Sequence, residues 1–229
     1  MPKWITHMPP RLIALIAVCL VVVVGVAYTL YHSASGSVDR YTAYATLAEE
    51  HEQAAYLVGA ANNPVRQELN QVLSETLARP MTPSERSKLA EHGKDLLKEA
   101  EGQIDVIGEL GAKVDTAIAQ MQVGALGDFS SSDTAREVLV LAKKRSDIIA
   151  DIRGLSYRAN FETAKIFDRV IEDGGKLTKE HINMLNDEIP DVEKQFDRRS
   201  DLYLELQRTA KQIEQKSADL GGYAWKGAW

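Results

Sequence analysis

The sequence predicts an all-α protein: an N-terminal transmembrane helix followed by an elongated antiparallel bundle of four to five long helices. Three observations predict it. One segment, Leu12 to Leu30, carries no charge at all. Across the rest, apolar residues recur three and four apart through long, charge-rich stretches, which is the period of one helix face. No segment combines strand alternation with turn chemistry, and Ala, Leu, Glu, Lys, Gln and Arg are abundant, all good helix formers.

Residues 1–32 are expected to be a cytoplasmic N-terminus and an anchor. The stretch LIALIAVCLVVVVGVAYTL, residues 12–30, matches the roughly 20 residues needed to cross a bilayer core. Trp4 precedes it and Tyr28 and Tyr31 mark its far end, as an aromatic belt requires. Lys3 and Arg11 lie before it and the uncharged His32–Ser37 after it. The positive-inside bias therefore places the N-terminus in the cytoplasm and the bulk of the chain outside, at an inner or plasma membrane. A cleaved signal peptide is the competing reading, with small residues at Ser33-Ala34-Ser35, but this apolar core exceeds the usual length of about 7–15 residues. Cys19 is the only cysteine; bulky Val18 before it and apolar residues after it argue for lipid-facing packing over lipidation.

Residues 33–37 read as a polar hinge, with Ser37 as an N-cap for the first helix of the bundle. The extracytoplasmic bundle is expected over residues 38–220. Its first helix carries Val38, Tyr41, Ala45 and Ala48 on one face and is expected to stop at Asn62-Asn63-Pro64. A second would restart at Pro64 and bury Val65, Leu69, Val72, Leu73 and Leu77. The third opens on Thr82-Pro83-Ser84-Glu85, a capping box with proline at the first helical position. Past it, Ala90, Gly93, Leu97, Ala100, Ile104, Ile107, Gly111, Val114, Ile118 and Met121 keep a heptad seam without a slip.

Gly124 and Gly127 lie in the expected loop. Thr134-Ala135-Arg136-Glu137 resembles another capping box and opens a helix presenting Val138, Leu141, Ile148, Ile152, Leu155, Ala159 and Ile166. Arg145 and Glu162 fall on the same seam, as edge residues or as an internal ion pair. Gly174-Gly175 closes this helix. The last helical region follows Thr178 and should break or kink at Pro190, because proline removes a donor and clashes with the preceding turn. Beyond it Val192, Phe196, Arg199, Tyr203, Leu206, Ala210, Ile213, Ser217 and Leu220 resume the rhythm, and Gly221-Gly222 ends it.

The net charge is −6, and residues 1–32 hold Lys3 and Arg11 with no acid, so the outer part is more acidic still. Such a domain is repelled by phosphate backbones, and nucleic acid is not an expected partner. The five histidines, at positions 7, 32, 51, 92 and 181, form no paired metal motif. No nucleophile elbow, phosphate loop or haem-attachment motif is present, so no catalytic residue, cofactor or metal is assigned. Lys143-Lys144-Arg145 and Arg198-Arg199 read as helix faces paired with acids.

The segment Val192-Glu-Lys-Gln-Phe-Asp-Arg-Arg-Ser-Asp-Leu202, continuing to Thr209 and Lys211, resembles the signature helix of the LemA family. That resemblance implies an N-terminal membrane helix and an extracytoplasmic helical domain. It covers residues 192–211 in the last helix, whereas in the family the segment comes soon after the membrane helix. Tyr203-Leu204-Glu205 stands where the family has Ile-Pro-Asn.

Residues 221–229 form an aromatic tail in which Tyr223, Trp225 and Trp229 are the candidate partner-binding residues, since Trp and Tyr supply much of interface hot-spot energy. The expected function is non-catalytic: a membrane-anchored helical scaffold or accessory subunit. Its partners would be proteins in or at the membrane, with the bilayer itself held by residues 12–30. A ligand-sensing extracytoplasmic bundle is the alternative. The heptad seams close either within one chain or between copies, so a homo-oligomer is compatible with them.

Overall fold

The structure is a computed structural model. It describes the backbone of residues 10–73, 81–122, 133–176 and 179–219, and the side chains of 40–73, 81–122, 133–176 and 190–218. The described residues form four α-helices and no strand: α1 (Pro10–Leu73), α2 (Pro83–Gln122), α3 (Asp133–Glu172) and α4 (Lys179–Asp219). The last three hold 40, 40 and 41 residues, roughly 60 Å each at about 1.5 Å per residue. α1 packs along α2, α2 along α3 and α3 along α4, with α1 also touching α3 across the bundle.

The two helices expected on either side of Pro64 are one. Pro64 lies inside α1 and is exposed, while Asn62 and Val65 beside it are fully buried. The buried positions Tyr41, Tyr44, Ala48, His51, Ala55, Val58, Asn62, Val65, Leu69 and Val72 run three and four apart straight through it. Proline's missing hydrogen bond thus falls on the solvated side, where a helix lengthens its bonds anyway, and packing on the inner side keeps the helix going. Pro190 is likewise exposed within an unbroken α4. α1 takes in both the expected anchor and the expected hinge at 33–37. The side chains of residues 1–39 lie outside the described residues, and among those described no helix is long and apolar enough to cross a membrane.

Local signals at the bundle ends act as their chemistry requires. The Thr82 N–H donates to Glu85 Oε2 at 2.9 Å and the Glu85 N–H to Thr82 Oγ1 at 3.3 Å, closing the capping box. At the end of α3, the Gly175 N–H reaches the Val170 carbonyl and the Gly174 N–H that of Ile171, at 2.8 and 2.9 Å. That is a Schellman cap, and both glycines take the positive φ it needs, 59° and 77°. The second expected box is replaced: α3 starts one residue earlier at Asp133, which accepts from Arg136, while Glu137 pairs with Lys216 of α4.

The α2 seam is buried as its spacing predicts, except that Gly111 is half-buried beneath the His51 ring of α1. Gly93 serves as the contact for Phe167 of α3, whose ring fills the space a side chain there would take. On α3 the buried face is wider than the apolar pattern, since Ser146, Ser156, Asn160 and Thr163 are also inside. Leu141 and Leu155 are only half-buried.

Candidate functional site

α1 and α4 are neighbours that meet through long side chains more than through close backbone. Tyr203 of α4 spans the gap: its hydroxyl donates to the Ala55 carbonyl at 2.6 Å, and its ring stacks on Tyr56, centroids 5.5 Å apart. Gly59 makes room, because a Cβ there would sit 3.0 Å from the Tyr203 hydroxyl. Toward the α1 N-terminal side this seam opens into a groove of about 490 Å³, walled by Tyr41, Tyr44, Tyr56 and Ile213 and floored by Arg145 of α3. Glu49 and Glu214 stand at its lining as well.

The apolar core is not continuous along the bundle. It divides into three clusters, represented on α1 by Tyr41–Ala48, by Ala54–Val58 and by Val65–Val72. Between them lie two polar layers.

The first layer is internally compensated. Arg145 of α3 forms an ion pair with Glu52 of α1, their side chains 12% and 17% exposed. Tyr56 adds a hydrogen bond to the other Glu52 oxygen at 3.3 Å. Ser146 donates to Asp115 of α2 at 2.8 Å. His51 is 2% exposed, and burial, reinforced by the Arg145 charge, pushes its pKa down to about 4, against a hydrogen bond to the Ile107 carbonyl. It is therefore neutral at ordinary pH. Burial raises the Tyr44 phenol to about 12, with Arg145 pulling the other way; that hydroxyl makes no regular hydrogen bond. Of the two readings of Arg145 and Glu162, the internal pair between them does not form: Glu162 is taken by Lys165, one turn away on α3.

The second layer is built differently. Along the α1–α4 seam, Gly59 faces Tyr203 and Arg66 faces Phe196, so Asn62 and Arg199 share one level. Arg199 is 6% exposed and donates to Ser156 of α3 at 3.3 Å, with its guanidinium 4.8 Å from the Phe196 ring centre. Its pKa is lowered by burial, with Tyr203 pulling the other way and Arg66 adding a smaller push down. Asn62 is fully buried and neither end of its amide has a partner.

Among the described residues, no group of three His, Cys, Asp or Glu is placed to hold a metal. The candidate tail residues Tyr223, Trp225 and Trp229 lie outside the described residues. The helical spacing placed Arg145 and Arg199 on inward seams, but Asn62 looked like a helix stop and Ser156 was not on the apolar pattern of its helix. Polar residues at seam positions were the available signal for both layers. The chain matches no protein-family model, no curated protein and no solved structure.

Proposed function

We propose that the chain is a non-catalytic, membrane-anchored helical scaffold or accessory subunit, with its N-terminus in the cytoplasm and its bundle on the other side. The observation that carries this reading is α1. One helix, Pro10–Leu73, contains the uncharged stretch 12–30 and also supplies a full side of the bundle. A segment suited to a bilayer is thus joined to the bundle without an intervening loop. The titratable groups inside the bundle support the same reading: Arg145 and Glu52 neutralise each other and His51 is held neutral. These are structural uses, and none sets a base beside a nucleophile.

Partner binding is assigned to the tail, Tyr223, Trp225 and Trp229. Two measurements test the reading together. A single cysteine at the exposed position Glu109, in a Cys19→Ser background, should react with a membrane-impermeant reagent in spheroplasts or intact cells without lysis. Truncation after Gly222 should leave thermal unfolding unchanged while removing copurified membrane proteins, as loss of hot-spot aromatics does. Labelling only after lysis refutes the topology, and a large drop in melting temperature with an unchanged set of partners refutes the docking role. The ligand-sensing alternative has one observation in its favour, the aromatic groove of about 490 Å³ between α1 and α4.

A further inference from the structure

The two basic runs of the sequence, Lys143-Lys144-Arg145 and Arg198-Arg199, are treated differently by the fold. The first is fully answered: Lys143 pairs with Asp147 at 2.9 Å, Lys144 with Glu205 of α4 at 2.8 Å, and Arg145 with Glu52 of α1. The second is not the acid-paired face its sequence suggests. Arg199 turns inward to Ser156, while Arg198 lines a groove of about 400 Å³ between α3 and α4. Arg158 and Lys194 line the same groove, and all three cations are exposed.

Acids stand one turn from each of these cations, yet none is engaged with them. Glu162, four residues after Arg158, is taken by Lys165 at 3.0 Å. Among the described residues, no ion pair or hydrogen bond holds Arg158, Lys194, Arg198, Asp191 or Asp201. Elsewhere opposite charges join α3 to α4, as in Glu137–Lys216 and Lys144–Glu205. The antiparallel register of those pairs and of Ser156–Arg199 brings Arg158 nearly level with Arg198 instead, like charge beside like. Gln195 and Leu155 are half-buried in the same lining. The enclosed Gln195 Oε1 accepts from nothing, so turning it outward to an incoming N–H breaks no bond.

We propose that this groove docks an extended acidic segment of a partner protein, with carboxylates on Arg158, Arg198 and Lys194 and a backbone N–H on Gln195. Side chains on one side of an extended chain recur every roughly 6.6 Å. The helical turn separating Lys194 from Arg198 rises about 5.4 Å, so two acids flanking one other residue match it. A compact anion fits less well, being one point of charge against cations spread over a turn. With the chain anchored as proposed, lipid phosphate is out of reach: Asn62 shares the level of Arg199 and lies roughly 50 Å along α1 past Leu30, at about 1.5 Å per residue. The groove is separate from the aromatic tail, and the two fail independently, because truncation after Gly222 leaves the groove intact.

The test uses the full chain in mild detergent and fluorescein-labelled alanine–glycine peptides carrying two glutamates, adjacent or separated by one, two or three residues. Fluorescence anisotropy should show tightest binding for the pair separated by one residue, weakening as salt is raised. The glutamine counterpart should not bind. The double variant Arg158→Gln/Arg198→Gln should weaken binding at least about tenfold without lowering the melting temperature, since both side chains are exposed. Arg208→Gln removes an exposed cation outside the groove and should change binding less than about twofold. Equal weakening by the two variants would overturn the proposal, as would indifference to glutamate spacing. So would full displacement by inorganic phosphate at the peptide's own concentration, which would mark a small-anion site. Absence of binding to every glutamate peptide would overturn it too. If the chain then sediments as a dimer that Arg198→Gln dissociates, the groove belongs to a second copy.

Discussion

Two glycines of α2 offer a paired experiment on how closely this bundle is packed. At Gly93 an added Cβ would lie 2.4 Å from Cζ and 2.6 Å from Cε2 of Phe167, whereas at Gly102 it would meet nothing within 4 Å. Carbon contacts settle near 3.5–4.0 Å, so Gly93→Ala requires the Phe167 ring to retreat by about 1 Å. That ring is fully buried, among Val65, Leu97 and Val170. Overpacking of this kind costs about 1–3 kcal/mol, and alanine's better helix propensity returns about 1 kcal/mol. The net effect expected is a loss of about 0–2 kcal/mol. Gly102→Ala meets no such contact and should gain about 0.5–1 kcal/mol. Chemical denaturation of the two variants should separate them by about 0.5–3 kcal/mol, and thermal unfolding by roughly 1–12 °C in a chain of this size. Adding Phe167→Leu to Gly93→Ala should recover part of the loss by restoring space. Equal or greater stability for Gly93→Ala than for Gly102→Ala would show that α2 and α3 do not meet as described.

Two further outcomes concern the first polar layer. His51 has a folded pKa of about 4 against an ordinary value of 6.5, so the unfolded chain binds the proton more readily. Stability should be fully present above about pH 6.5 and fall as pH drops toward 4, by up to about 3 kcal/mol; a His51→Gln chain that keeps the same acid slope would refute the assignment. Arg145→Ala leaves Glu52 without its partner and should cost about 3 kcal/mol in urea unfolding. The double variant Arg145→Met/Glu52→Gln should cost less than Arg145→Ala alone, and an equal or larger cost would mean that the pair is not what holds the layer.

Much of this fold was legible because heptad spacing reports directly on which face a helix buries. The α2 positions from Ala90 to Met121 are buried almost as the spacing requires, and the Thr82 box and Gly174–Gly175 cap depend only on adjacent residues. The expectations that failed were local rules outweighed by packing. Pro64 and Pro190 each forbid one backbone hydrogen bond, yet both are exposed within unbroken helices, and around Pro64 the opposite side of the helix stays packed. The candidate layers were harder to see, because partner choice across helices is not periodic. Nothing in the spacing of Arg145 says that it meets Glu52 rather than Glu162, and nothing around Arg199 distinguishes it from an ordinary edge arginine.

The division of the core into three apolar compartments also bears on how the helices find their alignment. An apolar heptad seam alone is nearly indifferent to a slip of seven residues, which exchanges one apolar position for another. The polar layers remove that indifference. On α1 they are marked by Glu52 and Asn62, ten residues apart, and on α3 by Arg145 and Ser156, eleven apart. Neither interval is a multiple of seven, so the layers behave like the offset scales of a vernier. A heptad slip of α1 against α3 would separate Glu52 from Arg145 without delivering another acid from the second layer. The stranded guanidinium would then lie without its carboxylate beside Ile148 and Ile149, at a cost of several kcal/mol.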